Sequence, residues 1–201
     1  MDIEEAIIKR RSFRDYSTDD IPYDDILDII KKGTLAPIAG NLDHYKFIII
    51  KNPETIEKIS SAAKQEFIKK ANTLIVIISN DQKMISFYGN KGKEYALQDT
   101  AATAENIILY ALNKNVGTCW IGNFDEAKIK EILQIPKEYN VHIIITMGYI
   151  NNTPKETPRK NLNEIVYFEK YGNSLYKPQY YPLMSNIKNI INYLKNVFEK
   201  Q

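Results

Sequence analysis

Cysteine is nearly absent: Cys119 is the only one in 201 residues. That excludes an intramolecular disulfide and any metal site built from several thiolates. Histidine is almost as scarce, with His44 and His142 alone. They form no HxxxH spacing and no Cys–His cluster, so a zinc centre has no ligand set. No GxSxG, no Walker-type GxxxxGK and no GxGxxG after a strand-like run occurs, which removes three common catalytic and nucleotide-binding signatures. Long apolar runs are missing too, since none approaches the roughly 20 residues that span a bilayer. Charge of one sign is not in excess: 27 basic residues face 25 acidic ones, for a net +2. A nucleic-acid binder shows a strong basic excess, so none is expected as a partner. Met1-Asp2-Ile3-Glu4-Glu5 places acids where a signal peptide carries basic and then apolar residues. A cytoplasmic location, with no membrane partner, is the expectation.

The two histidines and the cysteine offer little chemistry where they stand. His142 lies in the strand-like run 141–149, and Cys119 sits between Thr118 and Trp120 in another. Both positions read as structural ones, the thiol as a small core residue. His44 falls in a loop. A chain without an evident nucleophile, acid–base pair or metal site commonly borrows its chemistry from a cofactor.

Hydrophobic patterning is informative. The composition, 44% hydrophobic and 26% charged, is that of an ordinary globular protein. Helical spacing predicts helices over 2–10, from Pro22 to a stop at Gly33, over 53–69, over 94–113 and from Asp125 onward. Continuous apolar runs predict strands at 45–51, 73–79, 116–121 and 141–149, the first, second and last buried on both faces. Residues 80–93, polar and holding Gly89 and Gly92, read as a loop or lid. Ile187, Ile190, Ile191, Leu194 and Val197 predict an amphipathic helix over 186–199. Helices alternating with buried strands give an α/β (α+β) fold: a three-layer sandwich, its mixed central sheet covered by helices on both faces.

One stretch concentrates charge. Arg10-Arg11-Ser12-Phe13-Arg14 puts three guanidinium groups and a hydroxyl within five residues. A solvated helix end fits this, since cations favour a helix C-terminus. A phosphate site fits it as well, because Arg forks and a Ser hydroxyl suit a terminal phosphate. A second basic spot, Arg159-Lys160, lies far along the chain and reads alone as a solvated loop or as the other side of the same phosphate site.

Five segments in order carry a resemblance. They are Ile7 to Tyr16, the loop 35–41 (Leu-Ala-Pro-Ile-Ala-Gly-Asn), the helix stretch 97–106, the strand and turn 116–124, and Met147-Gly148-Tyr149 followed by Pro158-Arg159-Lys160 and Leu162 to Val166. Together they resemble the FMN-dependent nitroreductase family, over nearly all of residues 2–172. The resemblance implies a nitroreductase-like domain over 1–172 and an extension over 173–201 that packs on a dimer partner. It implies an obligate homodimer with FMN at the subunit interface, and NADH or NADPH as electron donor. Hydride would pass through flavin N5 to a small-molecule acceptor such as a nitroaromatic or quinone. Reductive dehalogenation, azoline oxidation or flavin storage in the same fold are the alternatives.

Carried over by position, Arg10, Arg11 and Ser12 would hold the phosphate and ribityl chain. Arg159 and Lys160 would close on the phosphate. Arg14 would lie near the N1/O2 end, where a fixed cation meets the charge that reduction creates. Pro37, Ile38, Ala39 and Asn41 would come from the partner subunit. Gly122 and Asn123 would offer backbone amides to the ring, and Gln65 would reach its pyrimidine edge. Phe124 and the 80–93 segment would wall the pocket. The chain departs from the family pattern at Ile38, often Ser, and at Asp43-His44-Tyr45, where Gln-Pro-Trp is usual.

Overall fold

The computed structural model describes residues 1–173. The chain divides into two compact units, Met1–Glu156 and Thr157–Gln201. The helix expected over 186–199, and all but the first residue of the expected 173–201 extension, lie outside the described residues.

Short polar residues start the helices of the first unit. Asp2, Asn52, Asn80 and Asp125 each accept a backbone N–H three residues on, at 2.8, 2.9, 3.0 and 3.2 Å. Such a cap is worth about 1 kcal/mol. They open α1 (Ile3–Lys9), α3 (Pro53–Ala63), α4 (Asp81–Tyr88) and α6 (Glu126–Leu133). The others are α2 (Tyr23–Gly33) and the long α5 (Gly92–Ala111). The strands are β1 (Tyr45–Ile50), β2 (Thr73–Ser79), β3 (Val116–Ile121) and β4 (Asn140–Tyr149). They form one sheet in the order β1-β2-β4-β3, with every ladder antiparallel.

The sheet is the middle of three layers, as the alternation of helices and buried strands predicts. Alternate residues of β2 serve opposite faces. Leu74, Val76 and Ile78 join Ile56 and Ile59 of α3 and Ile129 of α6 in one core. Ile75 and Ile77 join Ile26, Ile29 and Ile30 of α2 and Ala104, Ile107 and Ile108 of α5 in the other. Small residues let α5 approach closely: Gly33 lies against Ile107, where a Cβ would stand 2.4 Å from Ile107 Cγ1. In β4 a bulge breaks the alternation, pairing Ile77 with Ile143 but Ile78 with Val141. His142 is the extra residue.

Four local expectations are corrected. Residues 80–93 are not a loop: α4 and a 3₁₀ turn, Gly89–Lys91, fill them. The polar pattern there reflects one exposed helix face. The helix expected over 53–69 stops at Ala63, because Lys64 turns left-handed at φ 53°, and a 3₁₀ turn follows at Glu66–Lys70. β1 is an edge strand and only partly buried, although its sequence looks like that of a central strand. The apolar stripe of α1 does not face its own core: Ile3, Ile7 and Ile8 are 58–67% exposed and only Ala6 is buried.

The second unit holds α7 (Leu162–Ile165) and a tilted contact between the Tyr167 and Tyr171 rings, centroids 4.7 Å apart.

One packing feature governs where the N-terminal segment lies. Gly117 of β3 pairs with Gly148 of β4. Their missing side chains leave a notch that Phe13 and Tyr16 fill. A Cβ on Gly117 would meet Phe13 Cγ at 2.7 Å, and one on Gly148 would meet Tyr16 Cβ at 2.6 Å. Backbone bonds secure the crossing, from Phe13 N to Thr118 O at 2.9 Å and from Ser17 N to Tyr149 O at 3.0 Å. Gly117→Ala forces Phe13 out of this notch and is expected to cost about 1–3 kcal/mol, the usual cost of overpacking. Urea denaturation checks this; a midpoint equal to that of the wild type would show that the notch has slack.

Candidate functional site

The basic stretch begins where α1 ends. Arg10 is its C-terminal cap, with its N–H on Ala6 O at 2.9 Å. Between this cap and the Phe13 anchor the chain leaves the helix and runs onto β3. Arg10, Arg11 and Arg14 therefore fall between apolar anchors that fix the backbone. Arg10 Nε lies 3.9 Å from Glu105 of α5. Arg11 is better held: its Nη1 donates to Ile8 O at 2.6 Å and to Arg10 O at 2.9 Å, and its Nη2 lies 3.6 Å from Glu156. Arg11 Nε is buried and has no partner among the described residues. Ser12 and Arg14 both act on the Cys119 thiol, but burial dominates and pushes that thiol up. Arg14 is exposed, with its guanidinium 5.3 Å from the Phe67 ring centroid.

A second element faces solvent just after β3. Gly122 and Asn123 are exposed, and the nearest atom to a Cβ built on Gly122 is Trp120 Nε1 at 3.7 Å. The backbone there is open to approach. Gln65 Nε2 donates to Asn123 O at 3.1 Å, and Asp125 N donates to Ala62 O at 3.0 Å, so α3 fixes the turn. Phe124 packs half-buried on the same core as Phe67.

Residues 37–41 are held elsewhere. The turn Ala39–Asn41 carries two left-handed residues in succession, Gly40 at φ 59° and Asn41 at φ 53°. Ala39 N donates to both oxygens of Asp99 on α5, at 3.1 and 3.0 Å. Gly40 lies under the hydroxyl of Tyr88, at the end of α4. Asp99 and Glu105, the α5 residues that meet this loop and Arg10, are six positions apart. On a helix that is about 9 Å along the axis and about 120° around it. Within one chain, then, Arg14 meets Phe67, Gln65 holds the Gly122–Asn123 turn, and the 37–41 segment is fastened to Asp99 of α5. Arg159 and Lys160 fall in the second unit.

Several residues at these places are not evident in the sequence. Glu105, Glu156 and Phe67 pair with the arginines, but their types and spacing are those of any helix surface or loop. Asp99 carries a signal: a carboxylate within an alanine-rich helix, 6% exposed, must have buried partners. His44 is buried as well, 3.0 Å from Asp99.

The donors fit a bound phosphate ester. A buried guanidinium N–H without an acceptor is rare unless a ligand supplies one. Arg10 and Ser12 flank it in sequence, and Gly122 of the same unit offers an exposed glycine backbone suited to the edge of a planar ring. Among the described residues no cluster of His, Cys, Asp and Glu could hold a metal ion. No described helix is long and apolar enough to cross a membrane.

An antiparallel sheet between helical layers, with an arginine-rich entry beside a glycine turn, defines a class of protein that comparison identifies. The Nitroreductase family profile matches residues 7–70 and 60–149, more than half of the chain, and the chain belongs to that family. A protein of Archaeoglobus fulgidus with a provisional NADH dehydrogenase/NAD(P)H nitroreductase name is 32% identical over 71% of this chain and 82% of its own. The crystal structure of a nitroreductase family protein from Clostridium novyi NT superposes with a TM-score of 0.69 at 33% identity, over 86% of this chain and 96% of that one. An FMN-dependent nitroreductase from Clostridium difficile R20291 superposes with a TM-score of 0.72 at 26% identity, over 83% and 98%. Oxidoreductase chemistry of the nitroreductase type is the class of activity this membership supports.

His142 is structural, as its strand position suggests. Its Nε2 lies 2.7 Å from Ser79 Oγ and 3.0 Å from Asp81 Oδ1, and Asn140 Nδ2 donates to Asp81 Oδ2 at 2.9 Å. Burial alone would push the Asp81 carboxyl up, but the bonds from His142, Ser79 and Asn140 outweigh it and hold the group below the usual carboxylate range. A carboxyl so depressed adds stability above its unfolded pKa and loses it as pH falls through the folded one. Asp81→Asn is expected to cost about 1–3 kcal/mol at neutral pH. It should also flatten the loss of stability below about pH 4, where a free carboxyl titrates. Urea midpoints measured down the acid range check this; an unchanged slope would remove Asp81 as the source.

Proposed function

We propose that the chain is an FMN-dependent NAD(P)H oxidoreductase of the nitroreductase type, acting as a homodimer with FMN at the subunit interface. The observation that carries this is Arg11, whose buried Nε has no acceptor among the described residues, within a three-arginine stretch. In this reading Arg10, Arg11 and Ser12 bind the phosphate and ribityl chain. Gly122 and Asn123 meet the ring edge with backbone amides, held by Gln65 through Asn123 O. Arg14 stands over Phe67 with its charge free to face the N1/O2 end. When bound, FMN supplies hydride exchange, accepting a hydride from NADH or NADPH and passing two electrons to a nitroaromatic, quinone or similar acceptor.

Pro37, Ile38, Ala39 and Asn41 complete the site from the partner subunit. Two features support this. The loop is fastened to Asp99 of α5, about 9 Å along that helix and about 120° around it from the Glu105 that meets Arg10 of the same chain. Ile3, Ile7 and Ile8 of α1 and Leu97 of α5 are also exposed, an apolar surface that a second copy would cover. Phe124 lies beside the turn as one pocket wall, and α4, with Phe87 65% exposed, supplies another.

Titrating the purified protein with FMN tests this reading. A yellow complex that NADH or NADPH bleaches without oxygen is expected; a protein that ignores FMN would overturn it. Arg11→Ala removes charge-assisted bonds worth about 1.5–3 kcal/mol, so FMN affinity should fall at least tenfold. Arg14→Ala should keep FMN, because the charge it answers develops only on reduction. Its loss, about 1 kcal/mol at an exposed position, should lower the two-electron potential by about 20 mV. An unchanged potential in a redox titration would remove Arg14 from the ring.

A further inference from the structure

His44 and Asp99 form a buried pair that the reaction outlined above does not use. Asp99 is acceptor-only when ionised, so the hydrogen between them sits on His44 Nε2. His44 Nδ1 is buried and has no partner among the described residues. Asp99 is thus the ring's single polar anchor, and the Tyr45 ring packs edge-on at 5.2 Å. A buried pair of this kind is a weak source of stability, because desolvation offsets most of the attraction. Its geometric effect is larger. With Oδ2 fixed by His44, both Asp99 oxygens receive the Ala39 amide.

The turn so held is a conformation that needs holding. Asn41, with φ 53°, occupies a left-handed position that costs a non-glycine residue energy. The chain after the turn is fastened too. Asn80 N donates to His44 O at 2.7 Å, and Lys83 Nζ donates to Asp43 O. His44 is therefore bound at its ring to α5 and at its carbonyl to the start of α4. It stands within the Asp43-His44-Tyr45 segment that departs from the usual family pattern.

We propose that His44 and Asp99 are positioning residues: a buried clamp on the Ala39 amide sets the shape of the 37–41 loop, and through it the fit of FMN and of the acceptor. This rests on the FMN reading above, in which that loop meets the flavin of the partner subunit. His44→Gln keeps a donor at the same reach, His44→Phe keeps the ring without a donor, and Asp99→Ala removes the clamp.

The test has three readouts: hydrogen exchange of the Ala39 amide without FMN, FMN affinity, and KM against kcat for a quinone acceptor. His44→Phe and Asp99→Ala should each speed exchange at Ala39 and raise the FMN Kd about tenfold, the scale of a lost bond to a charged group. They should raise KM for the quinone more than they lower kcat. His44→Gln should restore all three. If His44→Phe does not fold, His44→Asn, too short to reach Asp99, takes its place. Faster exchange at Ala39 with FMN Kd and KM unchanged would overturn the proposal while leaving the FMN reading intact. Wild-type protein that binds no FMN would overturn both.

Discussion

The pairing of Gly117 with Gly148 across β3 and β4 sets the position of the whole basic stretch. Two absent side chains make a notch at the end of the sheet, and Phe13 and Tyr16 fill it. Tyr16 adds bonds to Phe13 O and to Thr146 Oγ1, both 2.6 Å, and burial pushes its phenol up. Charged residues are hard to place by their own interactions, because exposed ion pairs are weak. Here the apolar residues between the arginines hold the backbone, and the guanidinium groups follow. That is how three like charges stay together when, among the described residues, acids answer only Arg10 and Arg11, at 3.9 and 3.6 Å.

The chain's two histidines share a structural task around α4. Each lies in a buried pair with an aspartate, His44 with Asp99 and His142 with Asp81. Both pairs converge on residues 79–81. Ser79 and Asp81 bond His142, and Asn80 N donates to His44 O. The start of α4 is thus secured from the bulge in β4 on one side and from the 37–44 segment on the other. A β-bulge explains why His142 points there, since the extra residue leaves the regular alternation. Both histidines are thus accounted for by buried contacts around α4.

Much of the fold was legible in local pattern. Continuous apolar runs marked β2 and β4, and helical spacing with acidic first turns marked α2, α3 and α6. The caps Asp2 and Asp125 were readable from residue type alone. The family resemblance named the segments of the candidate site, and the fold ties Gln65 to Asn123 and sets Arg14 over Phe67. Phe67, Glu105 and Glu156 were not legible, because nothing in a phenylalanine or glutamate says which distant arginine it will meet. The Asp99 clamp was half-legible: a carboxylate among alanines demands a partner without naming it.

The sequence by itself determined where the apolar stripes and runs lie, because apolar periodicity is local and survives without a partner. It also determined where helices begin, because a cap acts over three residues. Tertiary structure alone decided which strand became the edge. β1 carries Phe47-Ile48-Ile49-Ile50, a run as apolar as that of a central strand, yet among the described residues it has a neighbour on one side only. It alone decided that residues 80–88 coil into α4, held through Asn80, Asp81 and the two histidines. It alone left Ile3, Ile7 and Ile8 facing outward. Periodicity tells that a stripe will be buried, but the surface that buries it is set by contacts across the chain, and for α1 that surface is not its own core.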